Sequence, residues 1–238
     1  MKITRGIAAA TAGAAVLVLA GGQAAMAATP RPAATATCSA AALSYVQARV
    51  GLAVSKRELT IGQLTSALTQ RPHVTNAHRA TLTGLFTSDA AGLQAVNAAV
   101  HSDTTCKQAV TDGRTVVTSY RVYMLLVPQT HLVAASDTGT YGASRLTAVE
   151  PKLQTAIDAI ADPTTKAHAQ AAFDDLVAQA KTATDDFADV ADTMLALTPA
   201  GMPAAQSTVD AQRAKVTSGR TALTTALQDA KTIQSLLS

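Results

Sequence analysis

Hydrophobic positions recur with helical spacing from about residue 38 to the C-terminus, and no segment shows the alternation that predicts a strand. Six apolar stripes predict an all-α protein, an elongated antiparallel bundle of about six long helices with coiled-coil-like packing. The stripes are carried by Leu43, Val54, Ile61 and Leu68; by Leu82, Phe86, Leu93 and Val100; by Val110, Val117 and Met124; by Leu146, Leu153 and Ile160; by Phe173, Phe187 and Leu197; and by Val209, Val216, Leu223 and Leu237.

The fifth stripe carries the most regular pattern. Apolar residues recur every seven positions from Phe173 to Met194 and again, three places later, from Leu176 to Leu197. This heptad pattern predicts the seam of a left-handed helix pair. We expect one continuous helix, which opens at Pro163 because proline suits the first helical position.

Two prolines lie inside predicted helices. The third helix runs from about Thr105 into Pro128, where it must break or kink because proline lacks an amide hydrogen and clashes with the preceding turn. Pro151 lies inside the fourth helix, between Leu146 and Ile160, and predicts a second kink for the same reason.

The first 27 residues have the pattern of an export signal. Two basic residues precede an apolar run, and Ala25-Met26-Ala27 offers the small residues of a cleavage site. We therefore expect residues 1–27 to be a signal peptide, 28–37 to be a disordered tail rich in Pro, Ala and Thr, and 38–238 to be a single helical-bundle domain. A secreted, extracellular or cell-envelope location follows.

Removal of the signal peptide changes the net charge. The chain has 19 Lys and Arg against 16 Asp and Glu, but Lys2 and Arg5 lie in the signal peptide, which leaves a net charge of +1. This near-neutral balance argues against binding to nucleic acid. The aromatic residues are only three Phe and four Tyr, so a deep aromatic-walled pocket is not expected. The best candidate for a membrane span, 116–135, is interrupted by polar residues and by Pro128, so none is expected in the mature chain.

The two cysteines test the bundle interpretation. If the first two helices form an antiparallel hairpin about Pro72, facing residues have numbers that add to about 144, and those of Cys38 and Cys106 add to 144. In an exported chain, two such cysteines favour a disulfide. The alternative, a metal site of His101, Asp103 and Cys106, has no second ligand cluster to complete it. We therefore expect a disulfide, no metal site and no cofactor.

The same register predicts an ion pair between Arg57 and Asp89, each of which lies on or beside the apolar stripe of its helix. Such a pair would set the register of the hairpin more than its stability, because desolvation offsets most of the attraction. The alternative is two unrelated surface charges whose stems pass beside the seam.

The segment 116–137 is apolar nearly all round and is predicted to be the most buried part of the chain. Its polar groups need partners: Tyr120, Arg121, Tyr123, His131 and Asp137. Two interpretations stay open at this point. The groups form a satisfied polar network beside the kink at Pro128, or they line a site for a lipid or another small apolar or anionic ligand.

No catalytic motif stands out. The sequence has no G-x-S-x-G, S-x-x-K or H-E-x-x-H motif and no glycine-rich phosphate loop. Asp185-Asp186-Phe187-Ala188-Asp189 matches the D-D-x-x-D pattern with which helical terpenoid synthases hold Mg²⁺, but the heptad turns these carboxylates and Asp192 toward water or the edge of the seam. We interpret them as a solvated acidic face and expect no enzymatic activity.

Three stretches of the chain carry a resemblance. The segment YRVYMLLVPQTHLVAASD at 120–137, with RLTAVEPKLQTAIDA at 145–159 and LALTPAGMPAAQ at 195–206, resembles a family of exported, Ala-rich, all-helical actinobacterial proteins of unknown function. The resemblance implies export, a long helical bundle and a bacterial envelope or secreted setting. It brings no catalytic residues.

The expected function is that of a secreted or cell-envelope helical protein without enzymatic activity. Its long helix faces would bind an unknown protein, a second copy of the chain or cell-wall polymer. The alternative is a carrier of a lipid or another small ligand between the helices, since seams lined by Gly139, Gly142 and Ala143 are loosely packed and can open.

Overall fold

Seven α-helices make up most of the described chain, which in this computed structural model comprises residues 38–238. They are α1 (Ala40–Thr69), α2 (Asn76–Ser102), α3 (Cys106–Thr118), α4 (Val127–Asp158), α5 (Pro163–Phe187), α6 (Val190–Leu195) and α7 (Gln206–Leu236). A π-helical turn covers Val122–Leu126, and a short 3₁₀ helix covers Pro199–Gly201. Because residues 38–238 contain no strand, the predicted all-α fold is confirmed, with five long helices and two short ones in place of six long ones. The predicted signal peptide and tail lie outside the described residues.

The first two helices form a hairpin, and a side-chain cap begins each of them. Ser39 caps α1 and Thr75 caps α2, each with a hydroxyl that accepts from an amide of the first turn. The guanidinium of Arg79 on α2 donates to the carbonyls of Leu68 and Arg71 at the end of α1. The helices bury a shared apolar seam, and α3 packs against both.

α4 is the longest helix and packs against α1, α5, α6 and α7. Its first half is buried on most sides, as predicted for that part of 116–137, but Val117, Tyr123 and Met124 of the same segment are exposed, so the prediction holds only for its second half. The buried run includes Gln129, Thr130, Leu132, Val133, Ala134, Ala135, Ser136 and Asp137. Pro151 lies inside α4, and the helix continues past it to Asp158.

The helix break near Pro128 lies earlier than predicted. α3 ends at Thr118, Arg121 adopts a left-handed backbone with a φ of 33°, and the π-helical turn leads into α4 at Val127. Pro128 is therefore in the first turn of α4, a position that proline tolerates because the first amides of a helix are not needed for its internal hydrogen bonds.

The predicted heptad seam is confirmed in its register but not in its continuity. α5 lies along α7, and the predicted seam residues Leu176, Ala180, Ala183, Phe187, Val190 and Met194 are all buried. The prediction of one continuous helix is wrong, because α5 ends at Phe187 and α6 begins at Val190.

Buried polar side chains of α4 bind the helix ends created by this break. The hydroxyl of Ser136 donates to the carbonyl of Phe187 at the end of α5 (2.8 Å). The side-chain amide of Gln129 donates to the carbonyls of Met194 (2.8 Å) and Leu197 (2.9 Å) at the end of α6. Carbonyls at helix ends lack the full set of hydrogen bonds of a helix interior, and α4 supplies donors for them in addition to the backbone bond from the amide of Leu197 to the carbonyl of Met194.

The seam at Gly139 is filled rather than loose. The ring of Phe187 packs against Gly139 of α4 and Gly219 of α7, and a Cβ on Gly219 would lie 2.8 Å from Cζ of Phe187. A Cβ on Gly139 would overlap the same ring. Glycine at these positions therefore allows three helices to close around one aromatic side chain.

Candidate functional site

Cys38 and Cys106 form the predicted disulfide, with their Cα atoms 5.5 Å apart. The bond ties the start of α1 to the first residue of α3 at the open end of the hairpin. Nearby, the side-chain amide of Gln47 on α1 donates to the carbonyl of Val100 on α2 (3.1 Å). The relative positions of α1, α2 and α3 are thus fixed at this end by a covalent bond and a partly buried hydrogen bond.

Arg57 and Asp89 do not form the predicted ion pair within the described residues. Arg57 instead donates to the carbonyl of Ala53 on its own helix (2.9 Å), and its guanidinium carbon lies 5.1 Å from the ring centroid of Tyr123. The aromatic face attracts the cation toward the π-helical turn. Asp89 is left half-buried, and burial raises the pKa of its carboxyl to about 6.

The five residues predicted to form one polar cluster are distributed over three places. Tyr120 packs with its hydroxyl against Gly92 of α2. Arg121 follows it, and its guanidinium contacts the sulfur of Met124 at 3.7 Å. Neither side chain reaches the buried polar groups of α4.

Tyr123 and His131 share a surface groove between the start of α4 and the start of α7, with a volume of about 360 Å³. Met124, Pro128 and Arg213 also line it. Tyr123 is half exposed and His131 is exposed, so this groove is not the enclosed ligand site that the sequence leaves open.

Asp137, the fifth residue, is buried and forms a cluster that the sequence does not reveal. Its Oδ2 accepts from the amide of Thr75 (2.9 Å), and its Oδ1 lies 2.9 Å from Nδ1 of His78. Nε2 of His78 lies 3.3 Å from Oδ1 of Asp192, whose side chain is 85% exposed. The imidazole is thus placed between two carboxylates, one buried in α4 and one exposed on α6.

A second histidine contact extends this cluster. The ring of His73, in the turn between α1 and α2, stacks on Tyr141 of α4 with the centroids 3.8 Å apart. Tyr141 is one helical turn beyond Asp137, so the two contacts are adjacent on α4. Together they attach the closed end of the hairpin to the centre of the bundle.

The acidic run of α5 and α6 is solvated at Asp185, Asp189 and Asp192, as predicted, but Asp186 is half-buried and its Oδ2 has no hydrogen-bond partner within residues 38–238. Asp185 pairs with Lys181 (2.6 Å), and Asp189 accepts from Lys215 (2.8 Å), a hydrogen bond that lowers the pKa of Asp189. Among residues 38–238, no three carboxylate, histidine or cysteine side chains are grouped to hold a metal ion.

An apolar stripe on α1 faces solvent. Tyr45, Leu52 and Leu59 are 62%, 54% and 64% exposed and recur every seven residues, so they share one face of the helix. On the neighbouring α3, Val110 and Val117 are also exposed and also seven residues apart. Single exposed apolar side chains are ordinary on a protein surface, but five at heptad spacing on adjacent helices form one feature.

Basic side chains accompany both stripes. Arg49 and Lys56 lie between the apolar residues of α1, and Arg114 lies between those of α3. A groove of about 490 Å³ separates the two helices, and its lining includes Tyr45 and Arg49 of α1 with Val110, Arg114 and Val117 of α3. Leu52, Lys56 and Leu59 do not line it and continue the exposed stripe of α1. We call this surface the basic apolar face. It comprises Tyr45, Arg49, Leu52, Lys56 and Leu59 of α1 with Val110, Arg114 and Val117 of α3.

The basic apolar face left a signal in the sequence, whereas the histidine cluster did not. The seven-residue spacing of Tyr45, Leu52 and Leu59 is visible beside the buried stripe of the same helix. His78 and Asp137 are 59 residues apart and meet only because the hairpin turn packs on α4.

Comparison with protein-family models, with curated proteins and with solved structures finds no match for the chain. No helix within residues 38–238 is both long enough and apolar enough to cross a membrane.

Proposed function

We propose that the protein is a secreted or cell-envelope helical protein that binds another protein through the basic apolar face and has no enzymatic activity. The observation that carries this proposal is the exposure of Tyr45, Leu52 and Leu59 along one face of α1. A heptad stripe is the surface with which helices bind one another, and nothing in residues 38–238 covers this one.

Two further observations support a location outside the reducing cytoplasm. The disulfide between Cys38 and Cys106 is stable where thiols are not kept reduced. The sequence pattern of 1–27 is that of a signal peptide, and the resemblance to exported actinobacterial proteins points the same way.

The arrangement of the buried polar groups favours binding over catalysis. A histidine that acts as a general base needs one ring nitrogen free to face a nucleophile or a water. Both ring nitrogens of His78 face carboxylate oxygens, and the buried Ser136 hydroxyl donates to a backbone carbonyl. These groups join helices to one another.

The test is native mass spectrometry of the protein purified from its own secreted fraction, as wild type, as Leu52→Asp and as Leu227→Asp. Leu227 lies on α7 and is 52% exposed, which matches Leu52. We expect a complex with a second protein for the wild type and for Leu227→Asp, and its loss for Leu52→Asp. A bare monomer in all three samples, or a complex that survives Leu52→Asp, contradicts the proposal.

A carrier function is the second candidate, because an apolar groove of about 410 Å³ lies between α4 and α7. Tyr141, Gly142, Arg145, Leu146, Val149, Leu223 and Leu227 line it. If the protein carries a ligand there, the same spectra show a small extra mass that leaves on denaturation and that Leu227→Asp removes. The two functions therefore respond to opposite variants.

A further inference from the structure

The basic apolar face has the same three-residue pattern on both of its helices. Tyr45, Arg49 and Leu52 on α1 stand at positions i, i+4 and i+7, and Val110, Arg114 and Val117 repeat this spacing on α3. Each helix thus presents an arginine between two exposed apolar side chains. A groove between two such helices fits the apolar stripe of a third helix, and its rim is cationic.

The cations of this face have no acidic partner in the described part of the chain. Arg49, Lys56 and Arg114 take part in none of the ion pairs within residues 38–238, and the guanidinium of Arg49 donates to the hydroxyl of Tyr45 (3.2 Å). The segment from α1 to α3 carries seven basic and four acidic residues, a net charge of +3. The face is therefore complementary to an anionic partner.

A second copy of the chain does not fit as that partner. If two α1 helices pair antiparallel about Leu52, Tyr45 meets Leu59 favourably, but Arg49 lies beside Lys56 of the other copy. A parallel pair sets Arg49 level with Arg49. Both arrangements place like charges together, which opposes association.

The acidic segment of another copy does not fit either. α5 and α6, residues 163–195, carry six Asp and two Lys, a net charge of −4. No large apolar side chain of these two helices is exposed, because their heptad seam is already packed within the bundle. These helices carry the negative charge of a partner but lack an exposed apolar stripe that could pack on Leu52 and Leu59.

We infer that the occupant of the basic apolar face is an amphipathic α-helix of another protein, whose apolar stripe is flanked by Asp and Glu. This inference rests on the proposed function and adds the chemistry of the partner. The apolar stripe enters the groove between α1 and α3, and the flanking carboxylates bind Arg49, Lys56 and Arg114.

The test uses two designed peptides of about 21 residues, long enough to span the face. Both have Leu at heptad positions a and d, and they carry either Glu or Lys at positions e and g. Binding to residues 28–238 with the disulfide intact is measured by fluorescence anisotropy. We expect the Glu peptide to bind about tenfold or more tightly than the Lys peptide, with a preference that weakens as salt rises from about 50 to about 300 mM.

Three variants locate the site. Leu52→Asp should weaken binding of the Glu peptide about tenfold, whereas the matched Leu227→Asp should leave it unchanged. Arg49→Glu combined with Lys56→Glu should reverse the preference toward the Lys peptide. All four substituted positions are exposed, so circular dichroism and the thermal midpoint should show intact folding.

Other outcomes overturn the inference. Equal binding of both peptides would show that the charge of the partner does not matter. Self-association that depends on concentration and is abolished by Leu52→Asp would identify a second copy as the occupant. Binding to phosphatidylglycerol vesicles that requires Leu52, without peptide binding, identifies a lipid surface. If the native complex depends on Leu52 but is unaffected by the double charge reversal, the inference fails while the proposed function stands.

Discussion

At the scale of single residues, the half-buried carboxylate of Asp89 lowers the stability of the folded protein at neutral pH. Its folded-state pKa is about 6, against an ordinary value of 3.8, because burial penalises the charged form. The folded protein therefore binds a proton that the unfolded chain has released between about pH 4 and pH 6. Stability conferred by the neutral form is lost as pH rises through this window and does not return above it.

Asp89→Asn should accordingly stabilise the protein at pH 7.5 by about 1 kcal/mol, a figure reduced from the full shift because the carboxyl is partly exposed. Urea unfolding at pH 7.5 and at pH 3.5 measures the difference, which should vanish at the lower pH. Asp174→Asn, which removes an exposed carboxylate of α5, is the control. An equal effect of Asp89→Asn at both pH values would show that burial of charge is not its cause.

Gly139 is a residue whose small size the packing requires. A Cβ at this position overlaps the ring of Phe187, so Gly139→Ala should destabilise the protein by about 1–3 kcal/mol in urea unfolding. Gly62→Ala is the control, because no side-chain or neighbouring-helix atom lies within 4 Å of a Cβ there. That helical substitution should stabilise by up to about 1 kcal/mol. Similar results for the two variants would contradict the close packing of Phe187.

At the scale of elements, the buried Asp137 links the α1–α2 turn to α4. Asp137→Ala leaves the amide of Thr75 and the imidazole of His78 without their buried acceptor, which should cost about 2–4 kcal/mol. Asp192→Ala removes the exposed partner of the same histidine and should cost less than about 0.5 kcal/mol. Urea unfolding of both variants, with hydrogen exchange of the first turn of α2, compares them. Equal losses would show that burial does not distinguish the two contacts.

The elements also show which parts of the fold the sequence predicts. The heptad register from Phe173 to Met194 was predictable because burial of a repeating apolar seam depends on local spacing. The break after Phe187 was not, because the heptad spacing continues through it and the Ser136 hydroxyl that binds the carbonyl of Phe187 is remote in the sequence. The disulfide was predictable because helix register and the export signal agreed on it. The ion pair of Arg57 with Asp89 was wrong, because register does not show that the ring of Tyr123 lies near Arg57.

At Pro128, too, the sequence predicted that the helix is interrupted but not the residue at which it is interrupted. Pro128 predicted an interruption, and the interruption occurs, but at Arg121, where the chain becomes left-handed before the π-helical turn. Proline then takes its favoured place in the first turn of α4. Proline restricts the backbone conformation of the residues before it, but it does not determine at which residue the helix ends.

At the scale of the whole molecule, the disulfide connects stability to the proposed interaction. It closes a loop of 68 residues, which by chain entropy stabilises the fold by up to about 4 kcal/mol. It also joins α1 to α3, the two helices that form the basic apolar face. The bond therefore constrains the distance between the two halves of the binding surface.

Replacement of both cysteines, Cys38→Ser with Cys106→Ser, should lower the free energy of unfolding by about 2–4 kcal/mol. At temperatures where this variant stays folded, its affinity for the Glu peptide should also fall, because α3 is then held at that end by noncovalent contacts alone. Urea unfolding and fluorescence anisotropy measure the two effects on the same preparation. Unchanged peptide affinity together with lower stability would show that noncovalent packing alone sets the spacing of α1 and α3.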